Sequence, residues 1–200
     1  MRKINEIFYS LQGEGHHTGY PSVFIRFSGC NLACPFCDTE HEEGIYMSDN
    51  DIIHAVNLYR ASWIVLTGGE PALHIDEDFI RMLKRATGKN IAVETNGTVP
   101  LPKGIDWITV SPKEGICGDD TKGEAAVEYA DEIKVIDVGQ SLEKYFDLPF
   151  RREKTLMYLQ PCYVEDEKER EANRLRNLSR VLADPRWTLS VQLHRYLEIP

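Results

Sequence analysis

Two hundred residues, 28% of them charged and 42% apolar, suit one ordinary soluble domain with a sizeable core. The formal charge of −9 argues against a broad nucleic-acid or anionic-membrane surface, although a small basic pocket can sit inside an acidic envelope. No apolar run is long enough to span a bilayer, no signal-peptide core follows Met1-Arg2-Lys3, and five cysteines, three of them clustered, do not make a secreted disulfide framework; the expected setting is the cytoplasm, with reduced thiols.

Residues 8–15 read as an edge strand followed by a glycine turn. Residues 22–27 form a strand that stops at Gly29, ahead of a cysteine loop at 30–37. Ser48 with Asp51 makes a capping box that opens a helix through Tyr59. A strand over 63–67 is stopped by Gly68-Gly69. Asp76 then caps a helix running to about Ala86, with Phe79, Ile80 and Leu83 on one face. The strand over 90–94 leads into the turn-prone Asn96-Gly97. Further strands are expected at 107–110, 132–136 and 155–159. A helix is expected within 164–183, with Leu175, Leu178 and Leu182 at helical spacing, and a last strand over 188–193.

Strands alternating with helices imply an α/β fold with a largely parallel sheet. A full eight-unit barrel typically takes about 250 residues, so a partial (β/α) barrel or an open sheet is expected. With no linker or repeat, residues 1–200 read as one domain. Polar motifs recur where strands end, at 30–37, 68–71, 95–97 and 111–113, and such a strand edge is where α/β folds gather their chemistry.

The cysteine loop spaces its thiols C-x3-C-x2-C, close enough to converge on one soft metal centre. Three ligands are one short of a closed zinc site. A 4Fe–4S cubane held by three cysteines keeps one iron open to a further ligand. A zinc knuckle completed by Cys117, Cys162 or His41 is the blander alternative. Gly68-Gly69-Glu70-Pro71 permits close backbone approach to a ligand, and otherwise is a strand-ending turn. Gln12 and Glu14 carry donor and acceptor atoms suited to a pterin or guanine-like edge. Arg26, in an apolar strand, either faces outward or calls for an anion, and a substrate carboxylate suits its planar fork.

The cysteine loop, with Phe36 just ahead of its last cysteine, resembles the cluster loop of the radical S-adenosylmethionine superfamily, and GGEP resembles that superfamily's GGE motif. The run S-x-Q-G-E-G at 10–15 resembles the 7-carboxy-7-deazaguanine synthases, and this likeness extends over almost the whole chain. It implies a partial (β/α) barrel and a 4Fe–4S cluster on Cys30, Cys34 and Cys37. S-adenosylmethionine would meet Phe36, Asp38, Gly69, Glu70, Glu94 and Asn96, then Ser111-Pro112-Lys113 and Gln160-Pro161-Cys162-Tyr163. Thr39 would bind Mg²⁺. The substrate, 6-carboxy-5,6,7,8-tetrahydropterin, would meet Leu11, Gln12, Gly13 and Glu14 in an N-terminal segment over 1–20. Arg26 and Thr67 would also touch it, as would His194 and Pro200 in a tail over 194–200.

The implied reaction is radical ring contraction with loss of ammonia, in queuosine and 7-deazapurine biosynthesis, with no side chain acting as nucleophile. The resemblance further implies an external flavodoxin- or ferredoxin-like electron donor and a homodimer. Two other readings are a glycyl-radical activating enzyme and a zinc-binding or electron-carrying module. QGEG and the terminal H-x-Y-x-x-x-P count against the first.

Overall fold

The computed structural model describes residues 1–117 and 125–200. Its nine strands are β1 (Arg2–Leu11), β2 (Pro21–Phe27), β3 (Ile45–Met47), β4 (Trp63–Gly68), β5 (Asn90–Thr95), β6 (Trp107–Val110), β7 (Glu132–Asp137), β8 (Leu156–Pro161) and β9 (Thr188–Leu189). They form one sheet in the order β3-β1-β2-β4-β5-β6-β7-β8-β9. From β2 onward neighbours run parallel, while β1 pairs antiparallel with both β2 and β3. The order has two ends, so the sheet is a partial barrel that does not close.

Helices α1 (Asp49–Asn57) and α2 (Glu77–Thr87) cover the outer face. The Ser48–Asp51 capping box is present, and Asp76 accepts the Phe79 amide, as their side-chain chemistry predicts. Ile52, Val56, Phe79, Ile80 and Leu83 pack with Ile25, Leu66 and Val93 of the strands in one core. Each such side chain contributes roughly 1.5–3 kcal/mol by leaving water.

The inner face is different. Its lower row is apolar: Phe24, Val65 and Ala92, flanked by Phe8, Trp63 and Trp107. The loop after β1 folds over this row, with the His16 ring stacked on Trp107 at 4.8 Å and His17 at 4.4 Å from Trp63. One pleat higher, the pairing register lines up polar residues across the sheet. Glu6 faces Arg26, Arg26 faces Thr67, Glu94 faces Thr109, and Thr109 faces Glu132.

Two expectations are corrected, the end of β9 and the buried face of the helix within 164–183. Over residues 8–11 β1 is an edge strand, as expected, because the short β3 pairs only with residues 2–4 on its far side. β9 ends at Leu189, and the chain then turns into α4 (Leu193–Leu197), whose Leu193 amide donates to the Gly13 carbonyl at 2.9 Å. The crossover from β7 to β8 carries a 3-10 turn, Glu143–Phe146. In α3 (Glu167–Ala183), Leu175 and Leu182 are exposed while Asn173 and Asn177 are buried. That helix docks through polar groups: Asn173 donates to the Cys162 carbonyl at 3.0 Å, and Arg180 pairs with the buried Asp137 at 2.5 Å.

Candidate active site

The turn after β4 anchors the start of the cysteine loop. The Gly69 amide donates to the Phe27 carbonyl at 3.2 Å and the Glu70 amide to the Gly29 carbonyl at 2.9 Å. A Cβ at Gly69 would overlap that same Gly29 carbonyl, and Gly68 sits at φ 135, a region open to glycine. Glycines at both positions therefore let two strand ends lie side by side.

Glu70 departs from its expected role. Its side chain is fully buried and turned into the protein, accepting from the Ala72 amide at 3.0 Å, Thr95 Oγ1 at 2.7 Å and the Asn96 amide at 2.8 Å. Burial pushes its pKa up. The carboxylate thus ties the β4 turn to the end of β5, and it is not part of the cavity wall. Pro112 is buried and likewise absent from that wall, although Ser111 and Lys113 on either side belong to it.

The wall encloses a cavity of ≈ 980 Å³ at the C-terminal ends of the strands. Cys30, Cys34 and Cys37 line it with Phe36, Asp38, Gly69 and Asn96, and Gln160, Pro161, Cys162 and Tyr163 face them across it. The three loop thiols are in no disulfide. Burial pushes Cys30 up, and pushes Cys34 to about 11 against the pull of Lys113. Burial also lowers Lys113, whose Nζ donates to Ser111 Oγ at 2.5 Å. Among the described residues no three Cys, His, Asp or Glu side chains are already closed around a metal position. The fit to an iron–sulfur cluster is in the donor set: three soft sulfurs on one wall of one cavity.

A second cavity, ≈ 470 Å³, adjoins the first. Leu11, Gln12, Gly13 and Arg26 line it, and the tail closes it with His194 and Pro200. Gly13 lies so close to His194 that a Cβ there would overlap its imidazole. Ser10 Oγ donates to the Pro200 oxygen at 2.7 Å, so the last residue is fastened to β1. Burial lowers the His194 pKa. Arg26 finds its anion within the protein, pairing with Glu6 at 2.7 Å across the β1–β2 ladder, and it still borders the cavity.

Glu14, Asp38, Thr39, Thr67 and Glu94 line both cavities and mark where they meet. Asp38 is held from the tail by Arg195 at 2.7 Å and Gln192 at 3.3 Å. Gln12 Nε2 donates to Glu94 at 3.1 Å. Between the two carboxylates stands a residue that motif reading missed. Lys134 Nζ donates to Glu14 at 2.6 Å and to Glu94 at 2.7 Å. Its signal in the sequence is a lysine set between Ile133 and Val135 in β7, two residues after Glu132.

A family model, the Radical SAM superfamily, matches residues 24–115, from β2 to just past the Ser111-Pro112-Lys113 turn. A 7-carboxy-7-deazaguanine synthase of Bacteroides thetaiotaomicron is 48% identical over 199 residues, covering 100% of this chain and 99% of its own. The chain belongs to the 7-carboxy-7-deazaguanine synthase family. A family member from Nitratidesulfovibrio vulgaris is 39% identical, with 99% of each chain covered. The crystal structure of QueE from Escherichia coli superposes with a TM-score of 0.75 at 29% identity, covering 96% of this chain and 94% of that one.

As a member of the 7-carboxy-7-deazaguanine synthase family the chain is a radical S-adenosylmethionine enzyme, and a 4Fe–4S cluster and S-adenosylmethionine follow from the family. The glycyl-radical-activator and zinc-module readings are thereby set aside. Among the described residues no helix is long and apolar enough to cross a membrane.

Proposed function

We propose that this chain, acting as one catalytic domain, converts 6-carboxy-5,6,7,8-tetrahydropterin to 7-carboxy-7-deazaguanine, with ring contraction and release of ammonia, for 7-deazapurine nucleosides such as queuosine. The observation that carries this reading is the junction of the two cavities: a thiol-lined space and a smaller one closed by the tail share a wall of Glu14, Thr39, Thr67 and Glu94. Cys30, Cys34 and Cys37 hold the cluster, and the surfaces of Gly69, Asn96, Ser111, Lys113 and residues 160–163 receive S-adenosylmethionine. When bound, these groups supply one-electron chemistry that removes a hydrogen atom from the substrate.

The chain's own residues bind, orient and shield. Gln12 and Glu14 meet the ring edge, with Leu11 and Gly13 lining the space beside it. Arg26, His194 and Pro200 face the same space, and the docked tail keeps water from it. Thr39 lends its hydroxyl to Mg²⁺, which commonly takes few protein ligands and fills its octahedron with substrate and water oxygens. Holding the ring in one orientation favours contraction over competing fates of a reactive intermediate. A flavodoxin- or ferredoxin-like protein supplies electrons, and the enzyme works as a homodimer in the cytoplasm.

The test is anaerobic incubation of the reconstituted protein with reductant, S-adenosylmethionine, Mg²⁺ and carboxytetrahydropterin. Formation of the deazapurine, more slowly without Mg²⁺, is expected. Cofactor cleavage with the pterin left intact would leave the superfamily standing and remove this substrate.

A further inference from the structure

Lys134 is a poor choice for a purely structural position. Its side chain is 6% exposed, and burying an ammonium group costs hydration that a neutral residue would not lose. Instead it brings a charge into the wall between the cavities and meets two carboxylates there, Glu14 and Glu94. A third, Glu132, lies on the same face of β7, nearly buried, and accepts from the His16 amide at 3.0 Å. One lysine thus serves three carboxylates.

The acceptor count shows what these carboxylates have to spare. Glu14 Oε1 already takes Gln160 at 2.9 Å and Gln192 at 3.0 Å, and its Oε2 takes Lys134. Glu94 takes Gln12 on one oxygen and Lys134 on the other. A carboxylate offers about four acceptor positions, so each retains capacity, Glu94 the more. Both line the two cavities.

We propose that Lys134 is a positioning residue for substrate recognition: by balancing and orienting Glu14 and Glu94 it makes the shared wall a paired-carboxylate reader for the N–H groups of a 2-amino-4-oxopyrimidine ring. The inference rests on the substrate class given above. Burial pushes Glu14 upward, but Lys134 outweighs it and holds that carboxyl at about 2. Burial leaves Glu94 raised in spite of the lysine, and raises Glu132 to about 7 with the help of Glu94. Among the described residues, the other charged or titratable groups facing the cluster are Lys113 from the turn after β6, His194 from α4 with Arg195 and Asp38 behind it, and Tyr158 on β8. His16 and His17 lie in the loop beneath Glu132.

The experiment titrates the reconstituted holoenzyme with 6-carboxy-5,6,7,8-tetrahydropterin, anaerobically and without reductant, following Kd by calorimetry from pH 5.5 to 9. A protonated carboxyl cannot accept as a carboxylate does, so affinity falls on the acid side. Lys134→Gln is expected to weaken binding roughly 10- to 100-fold at pH 7 and to move the acid midpoint up by about one unit or more. Lys134→Arg keeps the charge and is expected to return the midpoint to that of the wild type. Glu132→Gln leaves the lysine in place and removes a negative neighbour of Glu94, so its midpoint should move down; it also keeps the question open should Lys134→Gln fail to fold. Midpoints unmoved in the folded variants, with wild-type turnover intact, would overturn the role of Lys134 alone. A wild type that neither binds nor turns over the pterin would overturn the substrate reading and this inference with it.

Discussion

The two walls of the larger cavity treat their polar groups in opposite ways. On the cysteine side, bonds within the protein are weak: Cys30 Sγ accepts from the Leu32 amide at 3.4 Å, and the Cys37 thiol donates to the Thr39 carbonyl at 3.6 Å. On the β5–β7 side, Lys134 makes two charge-assisted bonds of 2.6 and 2.7 Å, and Gln12, Gln160 and Gln192 take up further positions on the same carboxylates. Sulfur donors tied so loosely can exchange their protein partners for a soft metal at little cost. A tightly bonded network of buried charges resists exchange and fixes shape and charge instead. One wall suits a guest that does the chemistry, and the other suits recognition.

The largest effect expected from this contrast is on the thiol side. Cys34→Ser exchanges a soft donor for a hard one, and iron per chain after reconstitution should fall along with loss of turnover. The far-ultraviolet circular dichroism should stay that of the wild type, since the loop lies outside the strands and helices. Full iron content with normal turnover in this variant would show that the thiol wall is not the metal wall.

The next largest effect tests the opposite wall through stability. Glu132 has its folded pKa raised to about 7 by burial and by Glu94. The native state then binds more protons than the unfolded chain between about pH 4.5 and 7, so this residue's contribution makes stability fall as pH rises through that window. Glu132→Gln removes the contribution. The variant should gain on the wild type with rising pH, reaching about 3 kcal/mol by pH 8, as read by urea unfolding at several pH values. A constant difference across the window would mean that Glu132 carries no such charge penalty, and the wall would be less tightly balanced than the geometry implies.

What sequence could convey differs between the walls for the same reason. Cys30, Cys34 and Cys37 are neighbours along the chain, so their spacing already carried the chemistry. Glu14, Glu94 and Lys134 come from a loop and two separate strands, and only the sheet register brings them together. Alternation within β7 did put Glu132 and Lys134 on one face, which was a usable signal. Side-chain direction was the harder problem. Glu70 belongs to a matching motif, yet the path of the chain through Gly68 and Gly69 aims it at Thr95 and the Asn96 amide.

Likewise, leucine spacing in α3 marked the wrong face, because Asp137 and the Cys162 carbonyl offer that helix polar docking partners. The early end of β9 follows from a distant demand, since residues 190–200 must turn back to reach Gly13 and Ser10.

The smallest effect lies where the walls meet. Arg195 pairs with Asp38 at 2.7 Å, and its guanidinium stacks over the Tyr163 ring at 3.5 Å, but the pair is exposed at 32% and 38%. An ion pair this open is typically worth 0.2–1 kcal/mol and weakens with salt. The tail does not depend on it. Leu193 still holds the Gly13 carbonyl, Ser10 still holds Pro200, and Gln192 still reaches both Asp38 and Glu14. Arg195→Ala should therefore cost at most about 1 kcal/mol in urea unfolding, less in added salt, and should raise the KM for the pterin only a few-fold with kcat kept. A loss of several kcal/mol, or of kcat, would place Arg195 inside the rigid network and move the boundary between the two walls out to the tail.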